Sequence, residues 1–170
     1  MIGLSDNHLR TQGIYIITTN DDWPCKIGIT DNLVERIQKM QTGNWHQLRA
    51  HRFWFPYTDI DLGKDKFKTP SLNTARMATV ALEKQVHQTM AELDVHMRGE
   101  WFDIDADDAD AVLAKIAKEN NYRLVSPTQV LKAKYGHLTK RSDAQSFAEL
   151  LEVATEAVRA LTGNLNVVSS

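Results

Sequence analysis

GIYIITTNDDWPCKIGIT (13–30) holds two apolar, β-branched runs separated by a turn. GIYIITTN (13–20) reads as a strand, because β-branched side chains suit a pleated, half-buried surface. Asn20, Asp21, Asp22 and Pro24 suit turn geometry, so CKIGIT (25–30) is expected to return as the second strand of a hairpin. Thr30 or Asp31 is positioned to cap a helix running to about Gln41. Leu33, Ile37 and Met40 then repeat at spacings of four and three, which gives that helix one buried stripe. Gly43 is a natural stop, since glycine tolerates the left-handed backbone that ends helices.

Outward from the hairpin, LRAHRFWFPY (48–57) predicts a third strand and TDIDLGKDKFKTP (58–70) a polar, Lys-rich loop. Residues 71–93 predict a long helix with Leu82, Val86, Met90 and Leu93 on one face. GEWFDID (99–105) predicts a short extended segment. ADDADAVLAKIAKEN (106–120) predicts a helix whose acidic first turn suits the helix dipole. YRLVSP closes this unit near residue 127. The expected fold class is therefore α+β, a small antiparallel sheet flanked by helices over residues 1–127, with a helical C-terminal extension over 128–170. In residues 142–162, Phe147, Leu150, Ala154, Ala157 and Leu161 recur at alternating spacings of three and four. Such a seam serves either to pack on its own domain or to pair two copies in a homodimer.

Composition narrows the function classes. No stretch approaches the ~20 consecutive apolar residues that span a bilayer, so no membrane partner is expected. The first residues lack the basic-then-apolar order of a signal peptide. The one cysteine, Cys25, excludes an internal disulfide and a cysteine-clustered zinc site, and it suits a reducing cytoplasm. Net charge is -2, but six of the acids fall in residues 101–125 against three bases. Lys26, Arg36, Lys39, Arg49 and Arg52 fall close together and suggest a local basic face. Scattered solvated charge is the competing reading.

The hairpin also sets chemistry-bearing residues at matched places. Tyr15 lies on the first strand and Lys26 on the second, and cross-strand neighbours of this kind come within side-chain reach. An ammonium beside a phenol lowers the phenol pKa, and a phenol tuned that way acts as a general base on water. Arg36 flanks the buried stripe of the first helix, where a planar guanidinium can clamp a phosphate through two hydrogen bonds. Glu83 flanks the buried face of the long helix with His87 one turn on. A carboxylate there suits a hard cation such as Mg²⁺. Each side chain alone has an ordinary structural reading: packing for the tyrosine, a surface ion pair with Glu35 for the arginine, a solvent-facing pair for Glu83 and His87.

GIY at 13–15 followed by KIG at 26–28 resembles the paired motif of GIY-YIG nucleases. Arg36, ten residues after Lys26, and Glu83 in ALEKQVH fall where that family carries its arginine and glutamate. QTGN (41–44) and RGEWF (98–102) resemble the phage-associated branch, in which the second motif commonly reads KIG. The resemblance spans residues 12–113. It implies hydrolysis of phosphodiester bonds in DNA, RNA not being excluded, with Mg²⁺ or Mn²⁺ as cofactor. Tyr15, helped by Lys26, would activate water. Arg36 would hold the phosphate, and Glu83 would anchor one metal ion that stabilises the leaving oxygen.

Nucleic-acid contacts are expected from Lys39, Trp45, His46, His87 and the loop residues Lys64, Lys66 and Lys68, with Trp45 stacking on a base or capping the first helix. Met40 stands where the family often carries a polar residue one turn after the arginine, a gap that Lys39, His46 or His87 would have to fill. The rival to an active endonuclease is a catalytically weak or inactive GIY-YIG module that binds nucleic acid or a protein partner for regulation.

Overall fold

The computed structural model describes residues 12–59, 62 and 71–130. Eight elements follow in order: β1 (Gly13–Thr19), β2 (Cys25–Thr30), α1 (Leu33–Gln41), β3 (Leu48–Tyr57), α2 (Leu72–Glu92), β4 (Trp101–Phe102), α3 (Ala106–Glu119) and β5 (Arg123–Val125). The strands form one antiparallel sheet in the order β4-β2-β1-β3-β5. The α+β architecture of a small antiparallel sheet flanked by helices is as expected. Residues 127–130 begin a further helical turn. Ser126 Oγ accepts from the Gln129 amide while Gln129 Oε1 accepts from the Ser126 amide. That reciprocal pair, with Pro127 at the first helical position, is a strong start signal. The proposed pairing segment 142–162 and the lysines Lys64, Lys66 and Lys68 lie outside the described residues.

β1 is buried along its whole length, which identifies it as the central strand. Its side chains alternate between two cores. Ile14 and Ile16, with Cys25 and Ile27 of β2, pack against Leu82, Val86 and Met90 of α2 and Leu113 and Ile116 of α3. Tyr15 and Ile17 pack on the other face with Leu33 and Ile37 of α1 and with Phe53, Phe55 and Tyr57 of β3. Full burial of one such side chain contributes about 1.5–3 kcal/mol, so a register slip that swapped the two faces would be heavily penalised.

Several local expectations shift. α1 is capped by Asn32, whose side chain accepts from the Glu35 amide, rather than by Thr30 or Asp31. Gly43 does adopt the left-handed backbone, at φ +86°. Leu93 ends α2 as an exposed cap residue and leaves the buried stripe to Leu82, Val86 and Met90. Residues 123–125, read only as a closing segment, form an edge strand on β3. Among the described residues no helix is long and apolar enough to cross a membrane.

Candidate active site

β4 is only two residues long and pairs with Cys25 and Lys26. One further bond, from the Ile27 amide to the Glu100 carbonyl, ends its cover. The rest of β2, from Gly28 to Thr30, is an open sheet edge. α1 lies on one face of the sheet and α2 on the other, and both reach around this edge. A cleft of about 560 Å³ opens there, lined by Thr30, Asn32, Arg36, Lys39, Glu83 and Glu100 among others.

The hairpin register brings Tyr15 opposite Gly28 and Ile17 opposite Lys26. Tyr15 and Lys26 are thus diagonal neighbours on the α1 face, and the residue beneath the phenol is glycine. The reason is steric: a Cβ on Gly28 would fall 2.4 Å from the Tyr15 hydroxyl and 2.6 Å from Cζ. The glycine of the second motif is what lets the tyrosine of the first lie flat across β2. Tyr15 is fully buried, and its hydroxyl accepts a hydrogen bond from Arg36 Nε at 3.2 Å. The phenol therefore sits one hydrogen bond behind the cleft wall.

The expected tuning of Tyr15 by Lys26 is not what the geometry provides. Burial pushes the Tyr15 pKa above 10.0. Arg36 pulls it back only in part, and the Glu100 and Glu83 carboxylates push the same way as burial. Lys26 Nζ instead pairs with Glu100 Oε2 at 3.0 Å, and Arg36 Nη2 approaches the same oxygen at 3.6 Å. Arg36 is held more firmly protonated, chiefly by the Tyr15 hydrogen bond.

Glu83 enters the cleft from α2. Its pKa is raised, first by burial, with Glu100 adding to the rise and His87 and Arg36 opposing it. His87 Nε2 lies 2.9 Å from the Ile27 carbonyl, and a carbonyl only accepts, so that nitrogen carries the proton. His87 thereby anchors α2 to β2 at Ile27, just before its uncovered part, and keeps Glu83 at the edge. Among the described residues no group of three or more His, Cys, Asp or Glu side chains converges on one point, so the cleft offers no cage of protein ligands. A half-buried carboxylate that burial disfavours as an anion, in a polar cleft with room for other oxygens, fits Mg²⁺ or Mn²⁺ bound by one or two protein ligands.

The remaining expected site residues are spread out. Lys39 lines the cleft but pairs with Glu35 one turn back on α1. Met40 packs partly buried against the core beneath α1. Trp45 is fully exposed and caps nothing, and His46 is exposed beside it. The suggested basic face is neutralised: Arg49 pairs with Asp22 and Arg52 with Asp110, while Lys26, Arg36 and Lys39 have the partners given above. Glu100 is the site residue that sequence reasoning missed. Its signal was the glycine before it in RGEWF. Gly99 takes φ +62°, His96 Nε2 lies 2.6 Å from the Gly99 carbonyl, and the resulting turn delivers Glu100 to the β2 edge.

The profile of the T5orf172 domain matches residues 12–117 of the chain. The matched span runs from the residue before β1 through most of α3 and contains every residue of the cleft. No curated protein and no solved structure gives a significant match.

Proposed function

The chain belongs to the T5orf172 domain family, and we propose that it is a divalent-metal-dependent endonuclease of the GIY-YIG type that hydrolyses phosphodiester bonds in DNA. The family is found in phage-associated and nuclease-related proteins. What carries the reading is a single juxtaposition. Tyr15 from β1, Arg36 from α1 and Glu83 from α2 are far apart in sequence yet meet at one open edge, with Lys26 of β2 beside them. Converging titratable groups with perturbed pKa values in a polar cleft are what hydrolytic sites require.

In this reading the DNA phosphate lies along the β2 edge. Arg36 and Lys26 hold its non-bridging oxygens and offset the charge that grows during attack. Tyr15, in its phenolate form, takes the proton from the attacking water at the oxygen that Arg36 now contacts. Glu83 would hold the Mg²⁺ or Mn²⁺, and the chemistry the ion would supply is stabilisation of the leaving oxygen. Because the Tyr15 pKa is raised above 10.0, its phenolate share rises about tenfold per pH unit across the neutral range. The nicking rate should climb with pH in the same way. One cleft cuts one strand, so a double-strand break takes two visits or two copies paired through residues 142–162.

The test is conversion of supercoiled plasmid to nicked circles with and without Mg²⁺ or Mn²⁺. The parent should nick only with metal, and Glu83→Ala should be slower by at least about 100-fold. Equal cutting by Glu83→Ala sinks the mechanism. A second reading, a binding module with little cleavage, is favoured by one observation: the phenol is buried and both cations of the site are already held by Glu100. Salt-sensitive DNA binding without metal-dependent nicking would select it.

A further inference from the structure

Arg36 of the cleft and Lys26 of the adjoining strand β2 converge on one oxygen. Lys26 Nζ and Arg36 Nη2 lie 3.0 and 3.6 Å from Glu100 Oε2. That oxygen is itself closed off from solvent, while the Glu100 side chain as a whole is 38% exposed. An oxygen anion gripped by a guanidinium and an ammonium is the arrangement a phosphate oxygen would take between the same groups. The carboxylate is also well anchored. The Glu100 carbonyl accepts from the Ile27 amide, the Trp101 amide closes the turn onto the Arg98 carbonyl, and Gly99 supplies the positive φ that the turn needs.

The surroundings make this pairing consequential. Asp31, Glu35, Glu83 and Glu100 line the cleft against Arg36 and Lys39, and Lys39 is paired with Glu35. An entering phosphate therefore meets more acids than bases and finds both inner cations engaged. It must take Lys26 and Arg36 away from Glu100 before it can bind. Arg36 stays tethered to the Tyr15 hydroxyl through Nε, so release from Glu100 turns its Nη2 over to the incoming phosphate without moving the whole side chain.

We propose that Glu100 is an internal stand-in for phosphate, occupying an anion subsite formed by Lys26 and Arg36 and setting the threshold that a nucleic-acid phosphate must exceed to enter. This rests on the reading of Lys26 and Arg36 as the phosphate clamp, but it does not need cleavage to occur. Glu100 is a specificity-determining residue here. Weak or singly charged anions fail to displace it, while a nucleic-acid backbone, or a phosphate accompanied by a divalent cation at Glu83, does displace it.

The experiment uses the full chain in metal-free buffer, with pyrophosphate as probe and calorimetric titration as readout, comparing the parent with Glu100→Gln, Glu100→Asp and the double variant Glu100→Gln with Arg36→Ala. Glu100→Gln keeps size and backbone contacts while removing the charge. It should bind pyrophosphate about tenfold more tightly than the parent. Glu100→Asp, which keeps the charge, should stay within about threefold of the parent. The double variant should lose the gain. Equal affinity of the parent and Glu100→Gln, or no binding by either, overturns the proposal. A lower Tm for Glu100→Gln without a gain in affinity overturns it as well, since that marks a merely structural ion pair. The nuclease reading fails separately, by absence of metal-dependent plasmid nicking in the parent, and that outcome leaves the pyrophosphate result standing.

Discussion

Two charge-rich regions lie on the sheet, and they are wired differently. On the flank around β3, the polar side chains of the strand face acids of α3 and of the β1–β2 turn, and His51 lies between Asp22 and Asp107. Asp110 accepts from the Trp54 indole at 2.7 Å and from Arg52 at 3.3 Å. Asp107 pairs with the nearly buried His51 ring at 2.8 Å, and Asp22 holds Arg49. At the β2 edge, Lys26 and Arg36 share one carboxylate, Arg36 also serves a buried phenol, and burial raises the pKa of Glu83. The flank is a set of completed pairs that fastens a helix to a strand. The edge is an incomplete set whose members would gain from a further anion and a further cation. Ion pairs as such do not mark a site; ion pairs lining an open cleft beside groups with perturbed pKa values do.

The sharpest way to break this contrast is to truncate an arginine in each region. Arg36→Ala should reduce plasmid nicking by at least about 100-fold, whereas Arg52→Ala should leave it within about twofold. Comparable losses from both would erase the distinction. Next in size is Gly28→Ala. Its methyl would meet the Tyr15 hydroxyl at 2.4 Å, so either the ring or β2 must move, at about 1–3 kcal/mol. A denaturant midpoint equal to the parent's would show that the phenol does not lie across β2.

On the flank, Asp110→Ala leaves the Trp54 indole N–H and Arg52 without their acceptor. Thermal unfolding should register a loss of about 1–2 kcal/mol, with nicking unchanged; lost activity at unchanged stability would move the flank into the site. The smallest effect concerns Glu83→Gln. Because the folded-state pKa of Glu83 is raised from 4.5, the folded protein favours the protonated form. The ionised carboxylate therefore subtracts stability once pH rises through that raised value. Glu83→Gln should accordingly raise Tm by roughly one to three degrees near neutrality, and the gain should vanish as pH falls below the ordinary carboxylate range. A destabilised variant at neutral pH would mean that Glu83 is a completed pair like those on the flank.

Much of this architecture is legible from local pattern. β-branched runs around NDDWP predict the hairpin, and the spacing of Leu33, Ile37 and Met40 predicts the buried face of α1. Both signals depend only on residues that are neighbours in the chain. β5 escaped because three residues, Arg123–Val125, carry too little alternation to declare a strand, and their pairing with β3 is decided by packing. The paired charges that replace a basic face were out of reach for a related reason. Clustering of Arg49 and Arg52 in sequence says nothing about Asp22 and Asp110, which the fold brings to them.

The amino-acid order by itself determined most of the elements, most of their buried faces and which residue types were available for chemistry, since periodicity and turn preference are properties of short stretches. The tertiary structure alone decided who partners whom. It set Tyr15 over Gly28 with Lys26 on the diagonal, turned Lys26 and Arg36 toward Glu100, and brought Glu83 around the β2 edge left bare by a two-residue β4. Charges act through space over a few ångströms, and distances across a sheet edge are not written in sequence separation.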